Sequence, residues 1–204
     1  MGEKWESSEE EFPRVVTTLS SILQRVAEMN DDSSEACSSE SVFHGMRKPG
    51  ISIKSYLERI FKYAGCSPAC FVLAYVYLDR FTHHRRHLTI HSFNVHRLLI
   101  TSILLATKFL DDIYYNNAYF AKVGGISMAE MNLLEIDFLF GIQFELNVTP
   151  IVFNSYCSIL QNEMSFGSPN AGPRLHCFLA EEEGSTCKQN QLAENNTDTT
   201  MQCS

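Results

Sequence analysis

Residues 77–81 read Tyr-Leu-Asp-Arg-Phe, residues 104–112 read Leu-Leu-Ala-Thr-Lys-Phe-Leu-Asp-Asp, and residues 131–145 read Met-Asn-Leu-Leu-Glu-Ile-Asp-Phe-Leu-Phe-Gly-Ile-Gln-Phe-Glu. Each is an apolar, helix-like stretch with charge at positions that otherwise ask for burial. Lys108 follows Leu104, Leu105 and Ala106, and Glu135 stands among Leu133, Leu134, Ile136 and Phe138. Burying an ammonium or a carboxylate in apolar surroundings is costly unless it finds a partner. Two opposite charges, each embedded in an apolar helix, point to a surface built for something to dock on.

Working outward, the chain predicts an all-α bundle with no strand alternation and no internal repeat. Five helices are expected over 52–64, 68–81, 92–110, 117–122 and from the Ser127 cap to Phe140. Ser52 is a candidate cap for the first, and Ser92 or Asn94 for the third. Glu130 takes the capping-box position of the fifth. The second is apolar nearly all round and should be largely buried, and the third reads as the central helix. After Gly141 the chain reads as extended and partly apolar.

An amphipathic helix precedes the bundle over 13–30, where Val15, Val16, Leu19, Ile22, Leu23, Val26 and Met29 recur at steps of three and four. A further helix follows over 149–164. The Ser-, Asp- and Glu-rich stretch 31–50 reads as a linker, 1–12 as a disordered acidic tail and 165–204 as a disordered C-terminal tail. The bundle itself is assigned to 51–148.

Bulk properties narrow the function. The 204 residues carry a formal net charge of −8, which argues against a general nucleic-acid binder, because phosphate neutralisation needs clustered Lys and Arg. The acidic N-terminus lacks the apolar core of a signal peptide, and Glu3 weakens a myristoylation reading of the Met-Gly start. The longest apolar run, 98–106, falls far short of the ~20 residues of a membrane span. A soluble intracellular protein, nuclear or cytoplasmic or both, is expected. Seven Cys without a C-x-x-C pair suit reduced, structural thiols. The glycosylation patterns at Asn147 and Asn195 then count as chance matches.

The ordered set of motifs resembles a cyclin box. That family is a five-helix bundle whose second helix ends Y-x-D-R-F. Its third ends in an apolar-small-Lys-aromatic-x-acidic run, and its fifth carries a Glu followed nine residues later by a Phe. The matching residues here are Tyr77, Asp79, Arg80 and Phe81, then Ala106, Lys108, Phe109 and Asp111, then Glu135 and Phe144. The stretches 53–60 and 70–74 resemble the single-box branch of plant P-type (U-type) cyclins and the related fungal phosphate-signalling cyclins.

The resemblance implies a non-enzymatic regulatory subunit that binds and activates a cyclin-dependent protein kinase, in cell-cycle or nutrient and phosphate signalling control. It implies no cofactor, metal, nucleic acid, membrane or small-molecule substrate. Carried over residue by residue, Lys108 and Glu135 hold main-chain groups of the kinase beside its mobile helix. Phe109, Leu139, Phe144 and Leu146 match the apolar positions that cradle that helix. The plain alternatives are a mutual Lys108–Glu135 salt bridge that orders the bundle, which can coexist with docking, and ordinary core packing for the four apolar residues. Asp79 and Arg80 read as structural. The family's Arg partner for this Asp falls near Gly50 here, so the partner of Asp79 is open. Only Ile53 and Tyr56 stand as loose equivalents of the family's substrate-docking pattern, so that docking is not expected.

Two other readings compete. His83, His87 and His91 have the i, i+4 spacing of metal ligands on one helix face. However, Arg85 and Arg86 lie among them and no H-E-x-x-H carboxylate is present, so a solvated basic loop is the simpler reading. A non-kinase adaptor of the transcription-factor type would want a basic face, and this chain is acidic. In the C-terminal tail, Ser168-Pro169 is a minimal proline-directed phosphorylation site.

Overall fold

The computed structural model describes residues 12–32 and 41–166. They form seven helices and no strand: α1 Arg14–Asp32, α2 Ile53–Ala64, α3 Pro68–His84, α4 Val95–Leu110, α5 Asn117–Gly124, α6 Met128–Gly141 and α7 Pro150–Phe166. The all-helical expectation holds. The C-terminal tail from 167 onward, with Ser168 and Asn195, lies outside the described residues.

Local sequence explains the boundaries. Ser52 caps α2 by accepting from the Ser55 N–H, and Gly65 ends that helix with φ 62°. Pro68 opens α3 at a position whose N–H has no helical acceptor. Ser127 accepts from the Glu130 N–H to start α6. The reciprocal half of that capping box is not made, because the Glu130 carboxylate takes the Arg97 guanidinium at 2.6 Å instead. Neither expected cap of α4 bonds into the helix. Ser92 turns its N–H and hydroxyl to Asp31 of α1, and Asn94 accepts from the His91 N–H and donates to the Thr89 carbonyl.

The core centres on α3 and α4. Every residue of α3 from Cys70 to Phe81 is buried. So are Leu98 and all residues from Leu99 to Thr107 of α4. The polar side chains inside α4 are satisfied by its own backbone: Thr101 donates to the Arg97 carbonyl and Thr107 to that of Ile103. Helices α1, α4, α6 and α7 all pack on α3, and α5 bridges α2, α4 and α6. Cys66, Cys70 and Cys157 are free thiols; burial pushes Cys66 up to about 12 and Cys70 up to about 11.

The stretch 31–50 is not wholly a linker. Helix α1 runs through Asp32, and Phe43 is fully buried. Its ring meets Phe81 at 5.2 Å and Phe138 at 6.0 Å, completing a three-ring cluster with the stacked Phe81–Phe138 pair at 4.4 Å. At the other end of α1, Phe12 packs edge-on against Phe61 of α2 at 6.1 Å, so residue 12 belongs to the packed bundle, while residues 1–11 of the expected tail lie outside the described residues.

Candidate functional site

Helices α4 and α6 lie side by side and bring the two embedded charges together. The Lys108 ammonium donates to Glu135 Oε1 at 2.5 Å. From the start of α5, Asn117 donates to Glu135 Oε2 at 2.6 Å and to Asn132 at 2.8 Å. The pair is neither separated nor sealed, since the Lys108 and Glu135 side chains keep 29% and 15% of their surface open to solvent. The ammonium carries three donors and the carboxylate about four acceptor sites, so each retains capacity after meeting the other.

The apolar candidates fall into two kinds. Phe109 and Phe144 are about half exposed, whereas Leu139 and Leu146 are half-buried and lean on the core. Sequence reasoning missed others. Leu133, Ile136 and Phe140 form an exposed stripe on α6, distinct from the buried Met131, Leu134 and Phe138. The signal was present, because α6 has apolar residues on two faces where a surface helix needs one. Leu110, Ile113, Tyr114 and Tyr115 are exposed just beyond Lys108.

The chain after α6 is held in an unusual turn. Gln143 and Phe144 both take positive φ, 54° and 60°. Such conformations cost non-glycine residues about 1–3 kcal/mol each and persist only where surroundings fix them. The surroundings here are the Tyr-Leu-Asp-Arg-Phe turn of α3. Arg80 donates to the carbonyls of Glu145 at 2.7 Å and Asn147 at 2.9 Å, and the Tyr77 hydroxyl donates to that of Leu146 at 2.8 Å. The motif thereby fixes where Phe144 emerges, with its ring 5.2 Å from that of Phe140.

Asp79, of the same turn, accepts from the Tyr156 hydroxyl of α7. This supplies a partner that the sequence left open. Burial, then the Asp79 carboxylate, drives the Tyr156 phenol far above its ordinary range. Ile53 and Tyr56, the loose equivalents of a docking pattern, are both buried, and the Tyr56 hydroxyl donates to the Gly124 carbonyl at 3.1 Å. The histidine series is dispersed: His83 meets His84 edge-on in the last turn of α3, while His91 packs against His44 and Phe93. Among the described residues no three His, Cys, Asp or Glu side chains are grouped to hold a metal. No helix among them is long and apolar enough to cross a membrane.

A family model described as Cyclin matches residues 13–146, spanning α1 to the strap after α6. The chain belongs to the cyclin family. Over 187 residues this cyclin is 58% identical to Cyclin-P4-1 of Oryza sativa subsp. japonica, covering 87% of this chain and 88% of that protein. It is 64% identical over 159 residues to Cyclin-U4-1 of Arabidopsis thaliana, covering 76% and 79%. It is also 49% identical over 156 residues to Cyclin-P3-1 of Oryza sativa subsp. japonica, covering 75% and 66%. These relatives carry the plant P-type and U-type names of the branch that the stretches 53–60 of α2 and 70–74 of α3 resemble.

Proposed function

We propose that this cyclin is a regulatory, non-catalytic subunit that binds and activates a cyclin-dependent protein kinase, in control of division or of phosphate signalling. The kinase-binding face is formed by the end of α4, the outer side of α6 and the strap at 144–146. One observation carries this reading: the half-open Lys108–Glu135 pair lies on α4 and α6, the helices that expose Phe109, Leu133, Ile136 and Phe140 to solvent. Apolar anchors around a few desolvated charge-assisted bonds are what a stable protein interface needs at its centre. Lys108 offers donors to peptide carbonyls and Glu135 offers acceptors to peptide N–H groups.

Activation follows from differential binding. Phosphoryl transfer by a kinase requires its mobile helix to deliver a Glu to the ATP-positioning Lys. A partner that fits only the inward arrangement shifts the population toward it. Turning a 1:99 mixture into 99:1 takes about 5.5 kcal/mol of differential affinity. A stiff face supports such discrimination better than an adaptable one. Its stiffness here comes from the buried α3–α4 core and from the Arg80 and Tyr77 bonds that hold the strap.

The test is co-expression of the full chain with a panel of cyclin-dependent kinases, reading complex formation and peptide phosphorylation. At least one kinase should be bound and activated. Lys108→Ala and Glu135→Ala should each weaken binding by tenfold or more while helical circular dichroism is unchanged. Both variants binding and activating like the parent chain would reject the assignment, as would silence across the panel.

A further inference from the structure

The Glu135 carboxylate is held from two sides. Lys108 of α4 donates to Oε1 at 2.5 Å, and Asn117 of α5 donates to Oε2 at 2.6 Å. The second N–H of the Asn117 amide goes to Asn132 Oδ1 at 2.8 Å, one turn before Glu135 on α6. Both donors of that amide are thus committed. Its orientation is fixed as well, because the reversed amide would set its carbonyl oxygen against a carboxylate oxygen.

Local structure puts Asn117 there. Asn116 caps α5, its side chain accepting from the Tyr119 N–H, and Asn117 is the first residue of that helix. The helix is anchored beyond it: Phe120 is buried, and the Tyr119 hydroxyl donates to the Tyr63 carbonyl of α2 at 2.8 Å. Neighbouring acids are engaged elsewhere. Asp111, at the end of α4, accepts from Ser67 and Cys70, and Asp137 of α6 accepts from Arg85. Asp112 and Lys122 are exposed, the first in the α4–α5 connection and the second near the end of α5. The charges within this cluster are therefore Lys108 and Glu135.

A half-open ion pair left to itself rotates, and an ammonium with three donors can take both carboxylate oxygens. Such geometries consume acceptors that an incoming main chain would need. Asn117 occupies Oε2, confines Lys108 to Oε1 and fixes the plane of the carboxylate. Order that exists before association does not have to be created on binding, so preorganised groups bind more tightly.

We propose that Asn117 is a positioning residue of the docking face: it presents the Glu135 carboxylate, in one orientation and with lone pairs to spare, to main-chain N–H groups of the kinase. This role rests on the kinase-binding reading of Lys108 and Glu135, and it adds a third helix to that face. The lesser role is a strut, in which Asn117 ties α5 to α6 and leaves docking untouched.

The test uses the full chain and the kinase identified by the panel. Dissociation constants are measured from about pH 5.5 to about pH 8 and expressed relative to the parent chain. Asn117→Ala should weaken binding about tenfold across this range, the loss of one hydrogen bond to a charged group, with circular dichroism unchanged. Asn117→Asp sets a second carboxylate against Glu135, and such neighbours resist joint ionisation. At about pH 5.5 the pair holds a proton that replaces the amide N–H, and affinity should approach that of the parent. By about pH 8 that proton is gone, and like-charge repulsion should weaken binding about tenfold or more. Placed together with Glu135→Gln, Asn117→Asp should lose this pH dependence, because it has no second carboxylate to share a proton with. A strut would shift the unfolding midpoint and leave the dissociation constant and its pH profile at parent values. If Glu135→Ala is weakened while Asn117→Ala and Asn117→Asp bind like the parent at about pH 8, the positioning role is overturned and the kinase face stands. A pH-independent Asn117→Asp also overturns it, as does a pH dependence that persists alongside Glu135→Gln. Glu135→Ala binding like the parent, or a panel without a bound kinase, overturns both.

Discussion

Asp79 of α3 and Tyr156 of α7 meet in the interior, with the phenol donating to the carboxylate and both residues at most 2% exposed. Helix α7 lies beyond the matched cyclin segment, which ends at 146, yet it is keyed to the same α3 turn that holds the strap. A buried carboxylate that loses a donor bears a desolvation penalty of about 1–3 kcal/mol. Tyr156→Phe should therefore lower the unfolding free energy by that amount, read as a lowered urea midpoint at unchanged slope, while native helicity is retained. An unshifted midpoint would show that Asp79 does not depend on α7.

Gly141 stands where α6 closes on α3. A Cβ placed there would lie 2.1 Å from Cε2 of Phe81, a ring already pinned by Phe43 and Phe138. Because that ring cannot give way freely, Gly141→Ala should destabilise the protein by about 1–3 kcal/mol, as overpacking does. Thermal unfolding should show a lowered Tm, and an unchanged Tm would mean that α6 can slide away from α3.

Phe140 and Phe144 should separate stability from binding. They are 64% and 56% exposed, so truncation removes little buried surface. Phe140→Ala and Phe144→Ala should each change unfolding free energy by less than about 1 kcal/mol. If they anchor the kinase face, each should weaken kinase binding by about tenfold or more, the range of interface anchors. Titration calorimetry on the complex decides; wild-type affinity in both variants would move the interface elsewhere.

Stability should fall on mild acidification. Burial, then the neighbouring His44, holds His91 below its ordinary 6.5, against the pull of Asp31. Burial likewise holds His96 below 6.5, outweighing the Ile51 carbonyl that favours its protonation, with Lys48 adding to the depression. The unfolded chain takes up these protons near pH 6.5 and the folded chain resists. The contribution is thus fully present above about 6.5 and declines as pH falls toward the folded values. Asp31 does not offset this. Desolvation alone would raise its carboxyl, but the Ser92 bonds and Lys48 bring it below 3.8, so its own contribution is lost only in stronger acid. Urea midpoints at about pH 7.5 and 5.5 should differ in the parent chain and differ less in a His91→Gln, His96→Gln double variant.

The bundle was legible because its signals are local and periodic. The α1 stripe, the Ser52 and Ser127 caps, Pro68 and Gly65 each act within one turn of their own position. Lys108 and Glu135 were legible because a charge inside an apolar helix stands out against its neighbours. What escaped was information held between distant segments. Phe43 is a single ring in a polar stretch with no periodicity to mark it. Tyr156 reaches Asp79 across 77 positions, and Arg97 draws Glu130 out of its cap from another helix. The outer stripe of α6 was hidden differently. Leu133, Ile136 and Phe140 are of the same residue types as the core, and only packing tells which face stays dry.

Phe43 also limits how this cyclin can be cut. A fragment starting at residue 51 keeps all the family's helical motifs but lacks the ring that packs edge-on against the stacked Phe81 and Phe138. Such a fragment would leave a hole at the junction of α3 and α6, a few residues from the turn that presents Phe144. Excising the connector therefore amounts to a core mutation, and a shortened version that fails to engage a kinase would say nothing about where the kinase sits.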